Sequence, residues 1–189
     1  EVVTSSHNHT DHLDAETLLP LKVANPHVKL VLPAANEDFA RVRLGPHGPA
    51  LVTLEAGDSV EVGPFKFHGI HAAHNDIEID EEGRSKFLGY VVTFGDFALF
   101  HSGDTLWHET LVRELRRWSI DIAFLPINGN KPERRVAGNL NGLEAAALGK
   151  AIAADIVVPC HYHMFEFNTE EPDEFVSCCE RLGQRHLVM

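Results

Sequence analysis

Four potential metal ligands lie within a six-residue stretch near the start of the chain, at His7, His9, Asp11 and His12. The stretch directly follows a short apolar segment that is predicted to be a strand. Because alternate side chains of an extended segment point to the same side, His7 and His9 can bind one ion. Asp11 and His12 follow a turn and can reach a second ion. The spacing therefore predicts a metal site at the end of a strand.

Three later segments also place histidine or aspartate directly after a predicted strand: 71–74, 100–105 and 158–163. A single histidine after a strand is more often a surface residue, but four such segments in one chain favour a shared site. Imidazole and carboxylate ligands without cysteine suit zinc, manganese and iron alike. We find no Gly-x-Ser-x-Gly motif that would indicate a serine nucleophile.

The order of these segments resembles the metallo-β-lactamase superfamily, in which a His-x-His-x-Asp-His loop is followed by a His, an Asp and a last His. The resemblance implies an α/β fold, an αββα sandwich with mixed sheets. It implies one ion bound by His7, His9 and His74 and another bound by Asp11, His12 and His161. Asp104 would bridge the two ions.

More narrowly, the chain is similar to the L-ascorbate 6-phosphate lactonase-like branch. The matching stretches are 4–14, 89–92, 101–105, 125–129, 138–141 and 159–165. The resemblance implies a hydrolase in which a hydroxide bridging two zinc or manganese ions opens a lactone or ester, such as that of a sugar phosphate. Iron fits the same ligands. We expect Asp11 to be catalytic through proton transfer, since it lies beside the nucleophile.

Other polar residues are candidates for contacts with the substrate or with the metal ligands. The basic loop 131–135 could bind phosphate or carboxylate through charge-assisted hydrogen bonds, although exposed basic residues are also common in solvated loops. The predicted substrate-binding residues are Asn128, Arg134, Arg135 and Asn139. His101 and His71 are expected to orient the metal ligands. His163 stands where close relatives often have Asp, and its role is left open.

Strands and helices interleave along 1–189, which predicts one domain. Strands are predicted over 1–6, 28–32, 51–54, 59–62, 65–70, 87–94, 97–101, 121–127, 155–159 and 185–189. Helices are predicted over 14–24, 35–44, 106–118, 143–154 and 172–182, the first capped by Asp14. Members of the superfamily have several strands before the His-x-His-x-Asp-His loop. We therefore expect the domain to be N-terminally incomplete.

The composition of the chain limits the classes of molecule that it is expected to bind. The net charge of −12 disfavours nucleic acid, because phosphate contacts need a basic surface. No apolar run approaches the roughly 20 residues of a membrane span. The segment 1–6 does not resemble a signal peptide, and three cysteines, two of them adjacent, do not suggest a disulfide framework. We expect a small-molecule substrate and a cytoplasmic protein, and a homo-oligomer is compatible with the sequence.

Three alternatives stay open. A phosphodiesterase or nuclease of the same superfamily would use the same ligands, and a thioester hydrolase resembling glyoxalase II is another possibility. A metal-binding domain without turnover is the alternative from another class.

Overall fold

A computed structural model describes residues 1–136 and 138–189. Its strands are β1 (Val2–Thr4), β2 (Lys29–Pro33), β3 (Ala50–Leu54), β4 (Ser59–Val62), β5 (Phe65–His71), β6 (Leu88–Phe94), β7 (Phe97–His101), β8 (Ile122–Pro126) and β9 (Ile156–Cys160). Its α-helices are α1 (Ala15–Ala24), α2 (Glu37–Leu44), α3 (Leu111–Leu115), α4 (Gly142–Ala151) and α5 (Asp173–Leu182). Short 3₁₀ helices cover Ala34–Asn36, Gly45–His47 and Pro132–Arg134. Within these described ranges, no helix has both the length and the apolar character needed to cross a membrane.

The described strands form two sheets. The first has the order β1-β2-β3, and all of its strands are parallel. The second has the order β4-β5-β6-β7-β8-β9; it is antiparallel from β4 to β7 and parallel from β7 to β9. Helices α1 and α2 pack on the first sheet, and α3, α4 and α5 pack on the second. These layers confirm the predicted αββα sandwich.

Strand β2 shows why the layers form. Leu30 and Leu32 pack in the cluster that includes residues of α1 and α2, whereas Val31 packs in the cluster between the sheets. Successive side chains of a strand point to opposite faces, so one apolar strand supplies both cores. Across from Val31, the inter-sheet cluster contains Leu88 and Tyr90 of β6.

The strand directions bring the histidine-bearing segments to one edge. Strands β7, β8 and β9 run parallel, and β5 runs the same way as β7 because both are antiparallel to β6. The carboxyl ends of β5, β7 and β9 therefore lie at the same edge of the second sheet. In such sheets the residues that follow the carboxyl ends of the strands form the ligand site.

Helix α1 begins as predicted. Asp14 adopts an extended backbone conformation, and its carboxylate accepts hydrogen bonds from the backbone N–H groups of Glu16 and Thr17. Those N–H groups have no partner inside the helix, so the side chain of Asp14 satisfies them.

Two predicted elements were wrong. The helix predicted over 106–118 is α-helical only at Leu111–Leu115, because Leu106 instead donates its backbone N–H to the carbonyl of Ala73 at 2.7 Å. That bond holds the start of the segment in the loop after β7. The strand predicted over 185–189 is also wrong: the segment meets β9 only through the isolated bridge between Val157 and His186.

The second sheet also holds the loop that follows β1. The buried Tyr90 donates its hydroxyl to the carbonyl of Ser5 at 2.7 Å, and the backbone N–H of Leu88 donates to the carbonyl of Ser6 at 3.0 Å. The start of the histidine-rich loop is thus fastened to β6, across the interface between the two sheets.

We predict that Tyr90→Phe lowers the free energy of unfolding by about 1–2 kcal/mol, because it leaves the buried carbonyl of Ser5 without its donor. Urea unfolding followed by circular dichroism measures this. Tyr162→Phe is the matched control: Tyr162 donates to the carbonyl of Met189 at the surface, so its loss should change stability by less than about 0.5 kcal/mol. Equal stability of the two variants would show that the Tyr90 bond does not support the loop.

Candidate metal centre

The structure gathers all seven side chains that the resemblance implied as metal ligands. Their ligand atoms form three overlapping groups, and within each group these atoms lie within 4.8 Å of one another. The groups are His7, His9 and His74; His7, His12 and Asp104; and Asp11, His12 and His161. The first and third groups have the same members as the two implied ligand sets.

Asp104 lies between those two sets. Its Oδ2 is 3.7 Å from Nε2 of His74 and 3.3 Å from Nε2 of His161, and its Oδ1 is 3.3 Å from Nε2 of His12. Asp11 lies only on the second side, with Oδ2 3.5 Å from Nε2 of His12 and 3.6 Å from Nε2 of His161. One carboxylate therefore faces both groups of imidazoles.

Hydrogen bonds at Nδ1 fix the orientation of three of these rings. Nδ1 of His74 lies 3.0 Å from the carbonyl of Gly138, which has no proton to give, so Nδ1 must be the donor. The Nδ1 atoms of His7 and His12 each lie 3.0 Å from Oγ of Ser6, whose two lone pairs can accept from both. With Nδ1 as the donor, each ring turns its Nε2 towards the site, as metal-binding histidines do.

The buried nitrogens support a cation at this site. Nε2 of His7 is buried, and no hydrogen-bond partner for it exists among the described residues. A buried nitrogen without a partner is costly, and a metal ion would satisfy its lone pair. The same ion would balance the buried Asp104 carboxylate, so the donor set fits one or more divalent cations.

Glycine is required beside Asp104. Gly103 has a φ of +61°, and a β-carbon there would lie 2.6 Å from Cβ of Ser6 and 2.8 Å from the carbonyl of Leu88. The backbone N–H of Gly103 donates to Nδ1 of His101 at 3.0 Å. The loop that carries Asp104 is thus packed against Ser6 and joined by a hydrogen bond to His101. The orienting role of that ring stays a prediction.

The imidazoles differ strongly in their affinity for protons. Burial lowers the pKa of His7 to about 2, so this ring is neutral. Burial also lowers the pKa of His12 and His161, but their contacts with Asp104 and Asp11 outweigh it and raise these pKa values to about 9 and about 10. Burial raises the pKa of Asp104, yet contacts with the same two rings hold it well below its usual range. Protons on His12 and His161 would therefore balance the negative charge of the carboxylates, as a bound metal ion would.

A cavity of about 690 Å³ opens in front of these ligands. Of the predicted substrate-binding residues, Arg135 lines it, whereas Asn128 and Asn139 are fully buried and lie outside its lining. Arg134 also lies outside the lining: its guanidinium donates to the carbonyls of Asn128 and Thr169 and to the carboxylate of Glu170. Arg134 therefore joins two loops. Its contact with substrate stays a prediction.

Two other histidines lie away from the ligand groups. His71 was expected to orient a ligand, but its Nδ1 lies 3.4 Å from Oε1 of Glu114, and it borders a different cavity with Trp118. Its role in orienting a metal ligand stays a prediction. His163 is exposed, with Nε2 3.0 Å from Oε2 of Glu171. Neither ring belongs to the three ligand groups.

Sequence reasoning missed Ser6 and the aromatic residues at the cavity. Ser6 precedes the first histidine directly, and a hydroxyl beside a metal-binding motif is a signal that could have been used. Phe39, Phe165 and Phe167 line the cavity from α2 and from the loop after β9. They carry no local signal, because only the tertiary fold brings segments so far apart in sequence to one opening.

Comparisons with known proteins agree with this geometry. The family described as beta-lactamase superfamily domain matches residues 1–162. The UPF0173 metal-dependent hydrolase YtkL of Bacillus subtilis (strain 168) is 30% identical over 183 residues, which cover 93% of this chain and 73% of that protein. A UPF0173 metal-dependent hydrolase of Methanoculleus marisnigri is 27% identical over 189 residues, covering 96% of this chain and 74% of the relative.

Solved structures show the same fold. Igni18, a metallo hydrolase from the archaeon Ignicoccus hospitalis, superposes with a TM-score of 0.78 at 19% identity, covering 100% of this chain and 76% of Igni18. The metallo-beta-lactamase fold protein YhfI from Bacillus subtilis gives a TM-score of 0.75 at 16% identity, covering 100% of this chain and 74% of YhfI.

We predict that Ser6→Ala weakens zinc binding about 10-fold, because two rings lose the acceptor that orients them. Competition with a chromophoric chelator measures the affinity. Ser119→Ala, at an exposed serine outside the site, is the control and should bind zinc as the wild type does. Unchanged affinity in Ser6→Ala would mean that packing alone orients the rings.

We also predict that metal binding at pH 7 releases about two protons, since His12 and His161 must lose theirs to act as ligands. Both pKa values are raised above neutrality, so apparent affinity should rise from about pH 6 to about pH 9 as protons compete less. Calorimetry in buffers of different ionisation enthalpy counts the protons. Zero protons released would contradict the role of both rings as ligands.

Proposed function

Because the chain belongs to the beta-lactamase superfamily domain family and to the UPF0173 metal-dependent hydrolases, we propose that it hydrolyses a small-molecule lactone or ester with two divalent metal ions. A sugar-phosphate lactone, as in the L-ascorbate 6-phosphate lactonase-like branch, is one member of that substrate class. The substrate class and the two-ion site are parts of the proposal.

One observation carries the proposal: the Asp104 carboxylate lies between two groups of imidazoles. Its oxygens are 3.3 Å from His12 and His161 and 3.7 Å from His74. Two cations that share one carboxylate ligand form the arrangement of two-metal hydrolases. A site for a single structural ion would need only four of the seven ligands and no open cavity.

The residues would divide between two ions. His7, His9 and His74 would hold one, Asp11, His12 and His161 would hold the other, and Asp104 would touch both. When bound, the ions supply Lewis acidity that polarises the scissile carbonyl and lowers the pKa of a water molecule. Zinc and manganese are the ions we favour, and iron suits the same nitrogen and oxygen donors.

Asp11 is the group best placed to move a proton. Both carboxylates line the cavity, but the side chain of Asp11 is 18% exposed and that of Asp104 is only 6% exposed. In the proposed reaction, water adds to the carbonyl carbon, and one of its protons passes to the Asp11 carboxylate. The bond between the carbonyl carbon and the alcohol oxygen then breaks, and Asp11 returns the proton to the departing alkoxide. The products are an alcohol and a carboxylic acid, which releases its proton to solvent.

We predict that protein purified without chelators holds about two metal ions per chain, and that Asp104→Ala holds at most about one. Turnover of an aryl ester or a lactone should fall at least about 100-fold in the variant, because a ligand shared by both ions is lost. Elemental analysis gives the metal content, and a pH-indicator assay gives the rate.

His27→Ala removes an exposed histidine outside the ligand groups and is the control; it should keep both the metal and the rate. Full metal content in Asp104→Ala would contradict the shared ligand. Turnover of a bis-aryl phosphodiester in preference to every ester and lactone would replace the proposal with a phosphodiesterase.

A further inference from the structure

The cavity in front of the ligands has an apolar wall. Phe39 comes from α2, Val136 from the loop before α4, and Phe165 and Phe167 from the loop after β9. Phe39 is 41% exposed and Phe167 is 63% exposed, and the rings of Phe165 and Phe167 lie 5.9 Å apart. Exposed aromatic side chains that converge from separate segments mark a binding surface for an apolar group.

Two arginines line the cavity, and they differ in how many contacts their guanidinium groups make with the rest of the protein. The guanidinium of Arg43 donates to the carbonyls of Asn8 and Leu13 at 2.9 and 3.2 Å, and it lies 4.4 Å from the centre of the Phe39 ring. Both of these bonds come from Nη1, which holds the histidine-rich loop. Arg135 also lines the cavity, and within the described part of the chain no hydrogen bond or ion pair engages its guanidinium. Among the described lining residues, Arg135 is therefore the arginine whose whole guanidinium is available to an anion.

Few polar side chains remain for the hydroxyl groups of a sugar. The neutral polar residues of the lining are Asn8, Thr10 and Asn168. The Oδ1 atom of Asn168 already accepts a hydrogen bond from Asn128. A dianionic phosphate is typically held by several donors or cations, and a carboxylate matches one planar guanidinium.

Resting on the proposed hydrolase function, we propose that the substrate is an amphipathic monoanion: a lactone or ester whose aryl or alkyl part packs on the aromatic wall and whose carboxylate binds Arg135. The bond to be cleaved then lies over the ligands at the floor of the cavity. A sugar phosphate fits this lining less well, because it offers no apolar part to the phenylalanines.

The test compares two esters that differ only in charge. The metal-loaded enzyme is given mono-4-nitrophenyl adipate and the 4-nitrophenyl ester of adipic acid monoamide. Arg135→Ala should lower kcat/KM for the carboxylate ester about 10-fold, which is the loss of one charge-assisted hydrogen bond, and leave the amide ester unchanged. Arg113→Ala, at an exposed arginine outside the lining, is the matched control and should change neither.

A separate substitution tests the aromatic wall. Phe167→Ala should raise KM for both aryl esters alike, because it removes apolar contact without removing charge. An equal effect of Arg135→Ala on the two esters would overturn the anion site, and so would no effect on either. Preferential turnover of 6-phosphoglucono-δ-lactone would overturn the amphipathic substrate.

A binding measurement separates this inference from the proposed function. If no ester or lactone is turned over, the hydrolase proposal fails, and calorimetry with 6-phenylhexanoate still tests the cavity. Binding to the metal-loaded protein that weakens about 10-fold in Arg135→Ala, but not in Arg113→Ala, would support the anion site. Equal binding of 6-phenylhexanoate and 6-phenylhexanamide by the wild type would contradict it.

Discussion

The candidate metal centre depends on the carboxylates of Asp104 and Asp11, whose side chains are only 6% and 18% exposed to water. Removing a carboxylate from water costs several kcal/mol unless positive charge lies beside it. Asp104 and Asp11 are surrounded by imidazoles, and imidazole can supply that charge in two ways, by holding a proton or by binding a metal ion. Contacts with Asp104 and Asp11 raise the pKa values of His12 and His161 to about 9 and about 10, which favours the first way. A metal ion bound by the same rings would take the place of those protons.

The fold supplies the rigidity that this exchange needs. The ligands come from the loop after β1 in the first sheet and from segments after β5, β7 and β9 in the second. Tyr90 ties the first loop to the second sheet, and Gly103 allows the Asp104 loop to pack directly on Ser6. His161 adopts a φ of +59°, a backbone conformation that costs a residue with a side chain about 1–3 kcal/mol and persists where its surroundings fix it. The two halves of the sandwich thus meet at the metal ligands, and folding and site formation depend on the same contacts.

The clustering of the seven histidine and aspartate side chains could be predicted from the sequence, because their chemistry is local. Four of them are close neighbours in the chain, and the order of the others matches a known superfamily. Strands such as β2 and helices such as α1 could also be predicted, since apolar runs and an Asp N-cap are local signals. The segment 106–118 could not, because the bond from Leu106 to Ala73 joins residues far apart in the chain. Arg134 and Arg135 show the same limit: they are adjacent in sequence, yet one is bound to the loop after β9 and the other faces the cavity.

These two neighbouring arginines connect the residues at the opening of the cavity with the cluster of histidine and aspartate side chains behind it. The guanidinium of Arg134 is only 12% exposed and donates to the carbonyl of Thr169 at 2.8 Å, so it fastens the loop before α4 to the loop after β9. The first loop carries Arg135, and the second carries His161, Phe165 and Phe167. The anion-binding cation, the aromatic wall and one metal ligand are therefore mechanically linked through a residue that does not itself line the cavity. Substitutions at Arg135, Phe165 or Phe167 can therefore alter which molecule binds, while the histidine and aspartate side chains that follow the strands stay the same.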